Sequence, residues 1–214
     1  MYNNSMDLII TIFSLIVLLF SVVIHELSHG SIAYSLGDPT AKYQGRLTLN
    51  PLKHLDMFGS IILPLLLLLA TAGQGPILGW AKPVPINPYN FKDQKWGSLK
   101  VAIAGPISNF LLALFFGLMM RFLPHDFFVA VPGLFLIFSF IVQINIVLAL
   151  FNLIPIPPLD GHWILFTFIP NKLSGISIFL QKYGVFILIL LIFFGGLNGL
   201  YGFVEYVFHL ITGV

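Results

Sequence analysis

The sequence predicts an all-α polytopic membrane protein, a helical bundle with short extended segments on its cytoplasmic side. Hydrophobic residues make up 58% of the chain and charged residues only 8%, whereas soluble domains carry about 25% charged residues. The mean hydropathy is +0.98, and several apolar segments reach the roughly 20 residues that a helix needs to cross a bilayer. We therefore expect the 214 residues to form a single membrane domain, residues 1–214, with no sizeable soluble module.

The composition also argues against several kinds of function. The net charge of +2 is too small to indicate a nucleic-acid partner. Cysteine is absent, so the chain has no disulfide, no thiolate metal ligand and no cysteine nucleophile. The first apolar segment lacks a basic leader and a small-residue cleavage site, so we expect a retained helix and not a signal peptide.

The apolar segments fall into spanning and shorter ones. The segments that are long enough to span the membrane are 8–34, 98–122, 129–153 and 176–195. Segments 58–72 and 199–213 are ambiguous because of their length, and the short aromatic segment 161–169 is expected at the membrane interface. Within the polar connections, 42–50 and 80–87 are expected to be extended, because three prolines exclude a helix from the second.

The basic residues predict the orientation of the chain. Residues 1–7 contain neither lysine nor arginine, whereas seven of the ten Lys and Arg residues lie in or beside two polar connections: Lys42, Arg46, Lys53, Lys82, Lys92, Lys95 and Lys100. The positive-inside rule places both connections in the cytoplasm and the N-terminus outside. Segment 58–72, which contains Pro64, would then enter the membrane without crossing it.

A His-Glu-Leu-Ser-His motif at residues 25–29 lies inside the first apolar segment. On a helix, His25 and His29 lie on one face, where two imidazoles can bind one Zn²⁺, and Glu26 on the adjacent face can reach the attacking water. The motif occurs by chance in soluble helices, but ionisable groups inside a membrane segment are costly and need a shared partner. The motif therefore predicts a zinc site.

A zinc site of this type needs a third protein ligand, and Asp160 is the best candidate. It follows a proline-rich helix end at residues 155–158. The predicted topology returns this end to the cytoplasmic side, where His25 lies about 26 Å along the first helix at roughly 1.5 Å per residue. The alternative is an ordinary loop carboxylate, in which case His54 or Asp56 is the next candidate, and His162 is weaker.

Two intramembrane asparagines, Asn109 and Asn152, are candidates for transition-state support. Buried amides in lipid need hydrogen-bond partners. They either join helices to one another or donate to a substrate carbonyl oxygen in the transition state. Gln143 and Asn145 are also polar and intramembrane, so position alone does not decide. Glu205 lies in the last short segment, and the sequence indicates no partner for it.

The chain resembles the site-2 protease family of intramembrane zinc metalloproteases, in its short bacterial branch. The resemblance rests on residues 25–29, on Gly-Pro-Ile-Ser-Asn at 105–109 and on residues 152–161, and it covers about residues 8–165. Residues 37–41, 49–52 and 79–88 resemble that branch as well. The chain departs from it at Met57 and at His162-Trp163, and neither departure involves His25, His29 or Asp160.

The resemblance implies a role for each matching residue. His25, His29 and Asp160 would bind one Zn²⁺ per chain, Glu26 would be the general base, and Asn152, with Asn109 nearby, would help to hold the scissile peptide. It also implies a catalytic core at about residues 8–165 with accessory helices at about 173–213. The partners would be a transmembrane protein substrate and the lipid of a bacterial cell membrane, with the active site near the cytoplasmic side.

A zinc-binding membrane protein without protease activity, either a transporter or a scaffold, is the competing hypothesis. A transporter favours polar residues spread along a pathway across the bilayer, whereas here they cluster at one depth. Glu26 also has no obvious task in simple transport. A catalytically inactive scaffold is disfavoured because each matched catalytic position is intact.

Overall fold

The computed structural model describes residues 2–62, 66, 69, 81–131, 133–170 and 173–214. The regular secondary structure of these residues is helical throughout, with no strand. The α-helices are α1 (Tyr2–Ser35), α2 (Thr40–Tyr43), α3 (Gln94–Phe122), α4 (His125–Ala130), α5 (Leu134–Asn152), α6 (Gly161–Phe168), α7 (Ser174–Phe193) and α8 (Asn198–Thr212). Shorter helical turns occur at Pro51–Lys53, Met57–Ile62 and Pro88–Asn90.

Among the described residues, four helices are long and apolar enough to cross a membrane. They are Ile12–Ser35 within α1 and the whole of α3, α5 and α7. The predicted all-α polytopic class is therefore confirmed, and each of the four predicted spans coincides with one of these helices. The chain is an integral membrane protein.

Helices α1, α3 and α5 form the centre of the bundle. Helix α3 is antiparallel to α1, because Val101 contacts His29 while Asn109, two turns later, contacts Ser21. Helix α5 runs parallel to α1. Phe13 of α1 contacts Phe140 of α5, and further along both helices Ser21 contacts Asn145. The last turns of α1 and α5 and the first turns of α3 consequently meet at one end of the bundle.

Helix α8 completes the core and α7 stands apart from it. The core side chains come from α3, α5 and α8: Ala113, Met120, Phe138, Val142, Ile146, Val204, Phe208 and Ile211. Helix α7 contacts the bundle at Gly184, whose added Cβ would lie 2.6 Å from the Pro157 carbonyl oxygen. Most of its other side chains are exposed and apolar, which suits lipid contact.

The connections at this end differ in part from expectation. The extended structure predicted for 42–50 is wrong at its start, because α2 forms a helical turn after Pro39 and ends before Gly45, whose φ of 62° favours glycine. Residues 81–87 have no helix, as the prolines predict. Most of segment 58–72 and Trp80 lie outside the described residues, so the re-entrant segment stays a prediction.

Candidate active site

The two histidines of the motif lie on one face of α1 and point to a common centre. Their Nε2 atoms are 3.0 Å apart, and both residues are 6% exposed. A four-residue spacing places both side chains on the same helix face, one turn apart. The sequence of α1 by itself therefore produces two of the three converging ligand atoms.

Asp160 reaches the same centre from the loop between α5 and α6. Its Oδ2 lies 3.0 Å from Nε2 of His25 and 3.3 Å from Nε2 of His29. The three form a group whose ligand atoms all lie within 4.8 Å of one another. Gly161 permits the tight turn beside the carboxylate, because an added Cβ would lie 2.5 Å from the Ile154 carbonyl oxygen.

Hydrogen bonds fix which nitrogen of each imidazole faces the centre. The Nδ1 of His29 lies 2.7 Å from the Val101 carbonyl oxygen, which can only accept, so Nδ1 carries the hydrogen. The Nδ1 of His25 donates to Oδ1 of Asn109 at 2.6 Å. Both Nε2 atoms are thereby oriented as ligand atoms, which is the arrangement that partners of metal-binding histidines produce.

The residues present fit a zinc ion. Atoms that are bound at about 2.0–2.1 Å in a tetrahedral zinc site lie roughly 3.3 Å apart, close to the separations found between Nε2 and Oδ2 atoms. The buried Oδ2 of Asp160 lacks a hydrogen-bond donor. Burial alone would raise the pKa of Asp160, but the two imidazoles lower it to about 2. Two nitrogen ligands and a carboxylate require a positive charge between them, either a proton or a metal ion.

A glycine of α3 makes room for the two rings. An added Cβ at Gly105 would lie 2.5 Å from Nε2 of His25, and it would also overlap Nε2 of His29. A real Cβ cannot approach that closely, so a larger residue at this position would displace the rings. Pro106 follows within the helix. Gly105, which the sequence indicates only as part of a family motif, is thus in direct contact with the site.

Glu26 and Asn152 line a cavity that opens beside the three ligand atoms. This cavity has a volume of about 400 Å³ and is also lined by Val84 and Trp163. The backbone N–H of Val84 donates to Oε2 of Glu26 at 2.7 Å. Glu26 is not part of the converging ligand group. It therefore presents a carboxylate to the cavity without serving as a ligand.

The proline-rich segment, residues 81–91, crosses the cavity and is fixed on both sides of it. On one side, Nη2 of Arg46 donates to the carbonyl oxygen of Lys82 at 2.6 Å, and the Lys82 N–H donates to the His54 carbonyl oxygen. On the other side, Asp38 accepts from the backbone N–H of Asn87 and from Nδ2 of Asn90, each at 2.7 Å. These bonds also show that both polar connections lie at the same end of the bundle.

Asp38 is a buried carboxylate whose charge is stabilised by this segment. Burial raises its pKa, but hydrogen bonds from Thr40, Asn87 and Asn90 outweigh burial and lower the pKa below its ordinary value. The side chain is fully buried. The ionised form of Asp38 is thus the form that fastens the segment.

The two predicted asparagines occupy different places. Asn109 is fully buried behind His25, and its amide is used by His25, Ser21 and Asn145. Asn109 is therefore better placed to orient His25 than to contact a substrate in the cavity, and its transition-state role stays a prediction. Asn152 lines the cavity, and its Nδ2 donates to the Leu148 carbonyl oxygen at 3.0 Å. It remains the candidate for transition-state support.

The alternative ligands lie outside the converging group. His54 is fully buried, with Nε2 2.9 Å from the Thr48 carbonyl oxygen. Burial lowers the pKa of His162, whose Nδ1 donates to the Leu159 carbonyl oxygen at 2.5 Å. Asp56 accepts from the Gly59 N–H. Glu205 pairs with His209, one turn away on α8, at 3.6 Å.

The sequence is similar to one family model and to known relatives in other organisms. The model of peptidase family M50 matches residues 128–194. YwhC of Bacillus subtilis (strain 168), which carries the provisional name zinc metalloprotease, is 43% identical over 183 residues, covering 83% of this chain and 78% of its own. Rip2 of Mycolicibacterium smegmatis, named in the same way, is 28% identical over 197 residues, covering 92% and 72%. No solved structure matches the chain.

The relatedness extends over nearly the whole fold described above. The family model covers α5, α6 and α7 with the loop that carries Asp160, and the alignments with YwhC and Rip2 span most of both chains. By these likenesses the chain belongs to peptidase family M50, the site-2 protease family of membrane metalloproteases.

Proposed function

We propose that the chain is a zinc-dependent endopeptidase that cleaves transmembrane or membrane-proximal segments of protein substrates. One observation carries the proposal: the carboxylate of Glu26 faces the same cavity as His25, His29 and Asp160, yet it lies outside their ligand group. Metal-assisted hydrolysis needs a general base, and a carboxylate that lies beside the metal without binding it can fill that role. Family membership and the provisional names of the relatives support the same chemistry.

In this proposal one zinc ion per chain is held by His25, His29 and Asp160. When bound, zinc supplies a Lewis acid that polarises the scissile carbonyl group and lowers the pKa of water toward neutrality. The protein contributes the fixed orientation of both imidazoles, through Val101 and Asn109.

Glu26 moves the proton. It takes a proton from water while the water oxygen bonds to the scissile carbonyl carbon, and it delivers that proton to the amide nitrogen as the C–N bond breaks. The Val84 N–H orients one oxygen of the carboxylate. Among the described residues no hydrogen bond occupies the other oxygen, which leaves it for the water.

The proline-rich segment is suited to holding an unwound substrate. A transmembrane helix uses its own carbonyl groups in hydrogen bonds, so it must locally unwind before hydrolysis. Ile86 lines the cavity, and its backbone N–H and C=O have no partner in the described part of the chain. An extended peptide can pair with these groups by strand addition, while Asn152 donates to the developing oxyanion.

The catalytic core in this proposal is about residues 8–165, and α7 and α8, at about residues 173–213, are accessory. We place the protein in a bacterial cell membrane, with the N-terminus outside and the site near the cytoplasmic side. The concentration of Lys and Arg at that end of the bundle supports this orientation.

The deciding experiment compares three purified proteins on a model transmembrane peptide, with zinc content measured in each. The wild-type chain should bind about one zinc and cleave the peptide. Glu26→Gln should keep the zinc, and its cleavage rate should fall by roughly 10²–10⁴-fold, since an amide cannot accept the proton. The double variant His25→Ala, His29→Ala should lose both zinc and cleavage.

Two results would contradict the proposal in different ways. Near-normal cleavage by Glu26→Gln would exclude the mechanism whatever the zinc content. Zinc binding with no cleavage by the wild-type chain would favour the competing function, a zinc-binding transporter or scaffold. A fourth protein, Asp160→Ala, tests the third ligand separately: if this variant retains zinc, His54 or Asp56 becomes the better candidate.

A further inference from the structure

A fully buried polar cluster lies one helical turn from the candidate zinc site, where α1, α3 and α5 meet. It consists of Ser21 on α1, Asn109 on α3 and Asn145 on α5. Ser21 is 4% exposed, and both asparagines are fully buried. Polar groups buried inside a membrane bundle are costly unless each finds a partner. The hydrogen bonds of this cluster therefore define a single arrangement.

Two backbone carbonyl groups fix the orientation of both amides. The Nδ2 of Asn145 donates to the Ile141 carbonyl oxygen at 2.8 Å and to Oγ of Ser21 at 2.9 Å. The Nδ2 of Asn109 donates to the Ser21 carbonyl oxygen at 3.3 Å and to Oδ1 of Asn145 at 2.8 Å. Carbonyl oxygens can only accept hydrogen bonds. If Oδ1 and Nδ2 of either asparagine exchanged places, an amide oxygen would face a carbonyl oxygen and neither could donate.

The fixed amide of Asn109 then determines the state of His25. Its Oδ1 is the atom that faces the imidazole, 2.6 Å from Nδ1, so Nδ1 must carry the hydrogen and Nε2 must offer its electron pair. His29 reaches the same state by a separate route, through the Val101 carbonyl oxygen. The two ligands are therefore controlled independently, and the cluster acts on only one of them.

We infer that Ser21 and Asn145 are positioning residues of the zinc site, which act through Asn109 to hold His25 as an Nε2 ligand. The inference rests on the proposed zinc site and adds two residues that do not touch the metal. Partners of metal-binding histidines orient the ring and set which nitrogen binds, and their loss typically costs about 10–100-fold in metal affinity. Ser21 and Asn145 do not contact His25 directly. Each is hydrogen-bonded to Asn109, and they lie on two different helices.

An alternative interpretation is that the cluster only holds the three helices together and has no effect on His25. The two readings differ in what happens at His29. A packing defect disturbs both histidines, since both stand on α1 beside α3. A positioning defect disturbs His25 and leaves His29, whose partner is the backbone of Val101.

The test uses the full chain in detergent, with two substitutions and two matched controls. Asn145→Leu keeps the side-chain size and removes the amide, and Gln143→Leu does the same to a half-buried amide on the same helix. Ser21→Ala removes one acceptor. Ser14→Ala removes a hydroxyl of α1 whose hydrogen bond, in the part of the chain that the structure describes, goes to the Ile10 carbonyl oxygen. Zinc affinity is measured by competition with a chelator, and the protein loaded with Co²⁺ is examined by proton NMR.

Wild-type protein should show two exchangeable, metal-shifted imidazole N–H signals, one from each histidine. In Asn145→Leu, zinc affinity should fall at least about tenfold, and one of the two signals should broaden or exchange faster while the other is unchanged. Ser21→Ala should affect the same signal with a smaller loss of affinity. Gln143→Leu and Ser14→Ala should match wild type in both measurements.

The inference is overturned if the variants lose affinity with both signals altered equally, or if they match their controls. Ser21→Ala decides alone if Asn145→Leu does not fold, because it deletes a single oxygen atom. Failure of the wild-type chain to bind Zn²⁺ or Co²⁺ would instead contradict the zinc site itself, which separates that result from failure of the positioning role.

Discussion

At the scale of single residues, the site depends on small side chains as much as on its ligands. Gly105 lets the rings of His25 and His29 lie against α3, and Gly161 lets the chain turn directly after Asp160. Neither residue carries chemistry of its own. Each provides space that a Cβ would fill, so the ligands can converge without strain.

Gly105→Ala tests this explanation. The added methyl group would overlap both imidazoles, and overpacking of this kind costs about 1–3 kcal/mol, or roughly 5–150-fold in affinity. We expect zinc affinity, measured by chelator competition, to decrease by a factor in that range. Gly202→Ala on α8, where an added Cβ has nothing within 4 Å, should leave zinc affinity unchanged; equal affinities in the two variants would contradict the contact.

Asn152→Ala tests the proposed transition-state donor. Asn152 lines the cavity but is not part of the ligand group, so zinc content should stay near wild type. Loss of one oxyanion donor costs about 2.7–4 kcal/mol, or roughly 10²–10³-fold in kcat. Single-turnover cleavage of the model peptide measures this loss, with Ser139→Ala on the same helix as control. A folded variant with unchanged kcat would reduce Asn152 to a helix-packing amide.

At the scale of elements, the proline-rich segment is placed by bonds to other parts of the chain, because it has no ladder of its own. Arg46 and the backbone of His54 hold it near Lys82, and Asp38 holds it near Asn87. Between these points the Val84 N–H donates to the carboxylate of Glu26, the proposed general base. Displacement of the segment would therefore alter both the orientation of Glu26 and the proposed substrate-binding edge at Ile86.

The ionised form of Asp38 should contribute to stability in a pH-dependent way. Its pKa is lowered in the folded chain, so its contribution is present above the unfolded pKa of about 3.9 and is lost as pH falls below that value. Hydrogen bonds to a charged group contribute about 1.5–3 kcal/mol. Asp38→Asn should therefore lower Tm by roughly 3–12 °C at pH 7.

The comparison at low pH completes that test. The difference in Tm between wild type and Asp38→Asn should shrink as pH falls toward the folded pKa, because wild-type Asp38 then loses its charge too. Asp126→Asn, at an exposed carboxylate of α4, serves as the control and should follow wild type at each pH. A Tm difference that does not vary with pH would show that burial and shape, and not charge, explain the effect.

At the scale of the whole molecule, the bundle brings three distant stretches of chain to one end. The α1 motif, the first turns of α3 and the loop after α5 meet there because α3 is antiparallel to its two neighbours. The two polar connections are bonded to each other at this end. The predicted segment 58–72 between them is therefore expected to begin and end at this end of the bundle.

Labelling of introduced cysteines tests the resulting topology, and the chain has no native cysteine to give background. Tyr43 and Tyr89 are 83% and 82% exposed on the two connections. Tyr43→Cys and Tyr89→Cys should both react only after the membrane is opened, whereas Ser5→Cys should react from outside. Reaction of the Tyr43 and Tyr89 positions from opposite sides would contradict the predicted orientation and the shared end of the bundle.

Hydropathy and four-residue spacing are local properties of a chain, so the amino-acid order alone predicted the class of the protein, four spans and the zinc motif. It also indicated Asp160, since the charge distribution predicts which loops share a side. Three features became visible only in the folded chain: Asn109 lies behind His25, Gly105 contacts both imidazoles, and Ser21 and Asn145 complete one hydrogen-bonded cluster. These contacts depend on the rotation and register of α3 and α5 against α1. Side-chain packing between the helices determines both, so a local sequence pattern does not predict them.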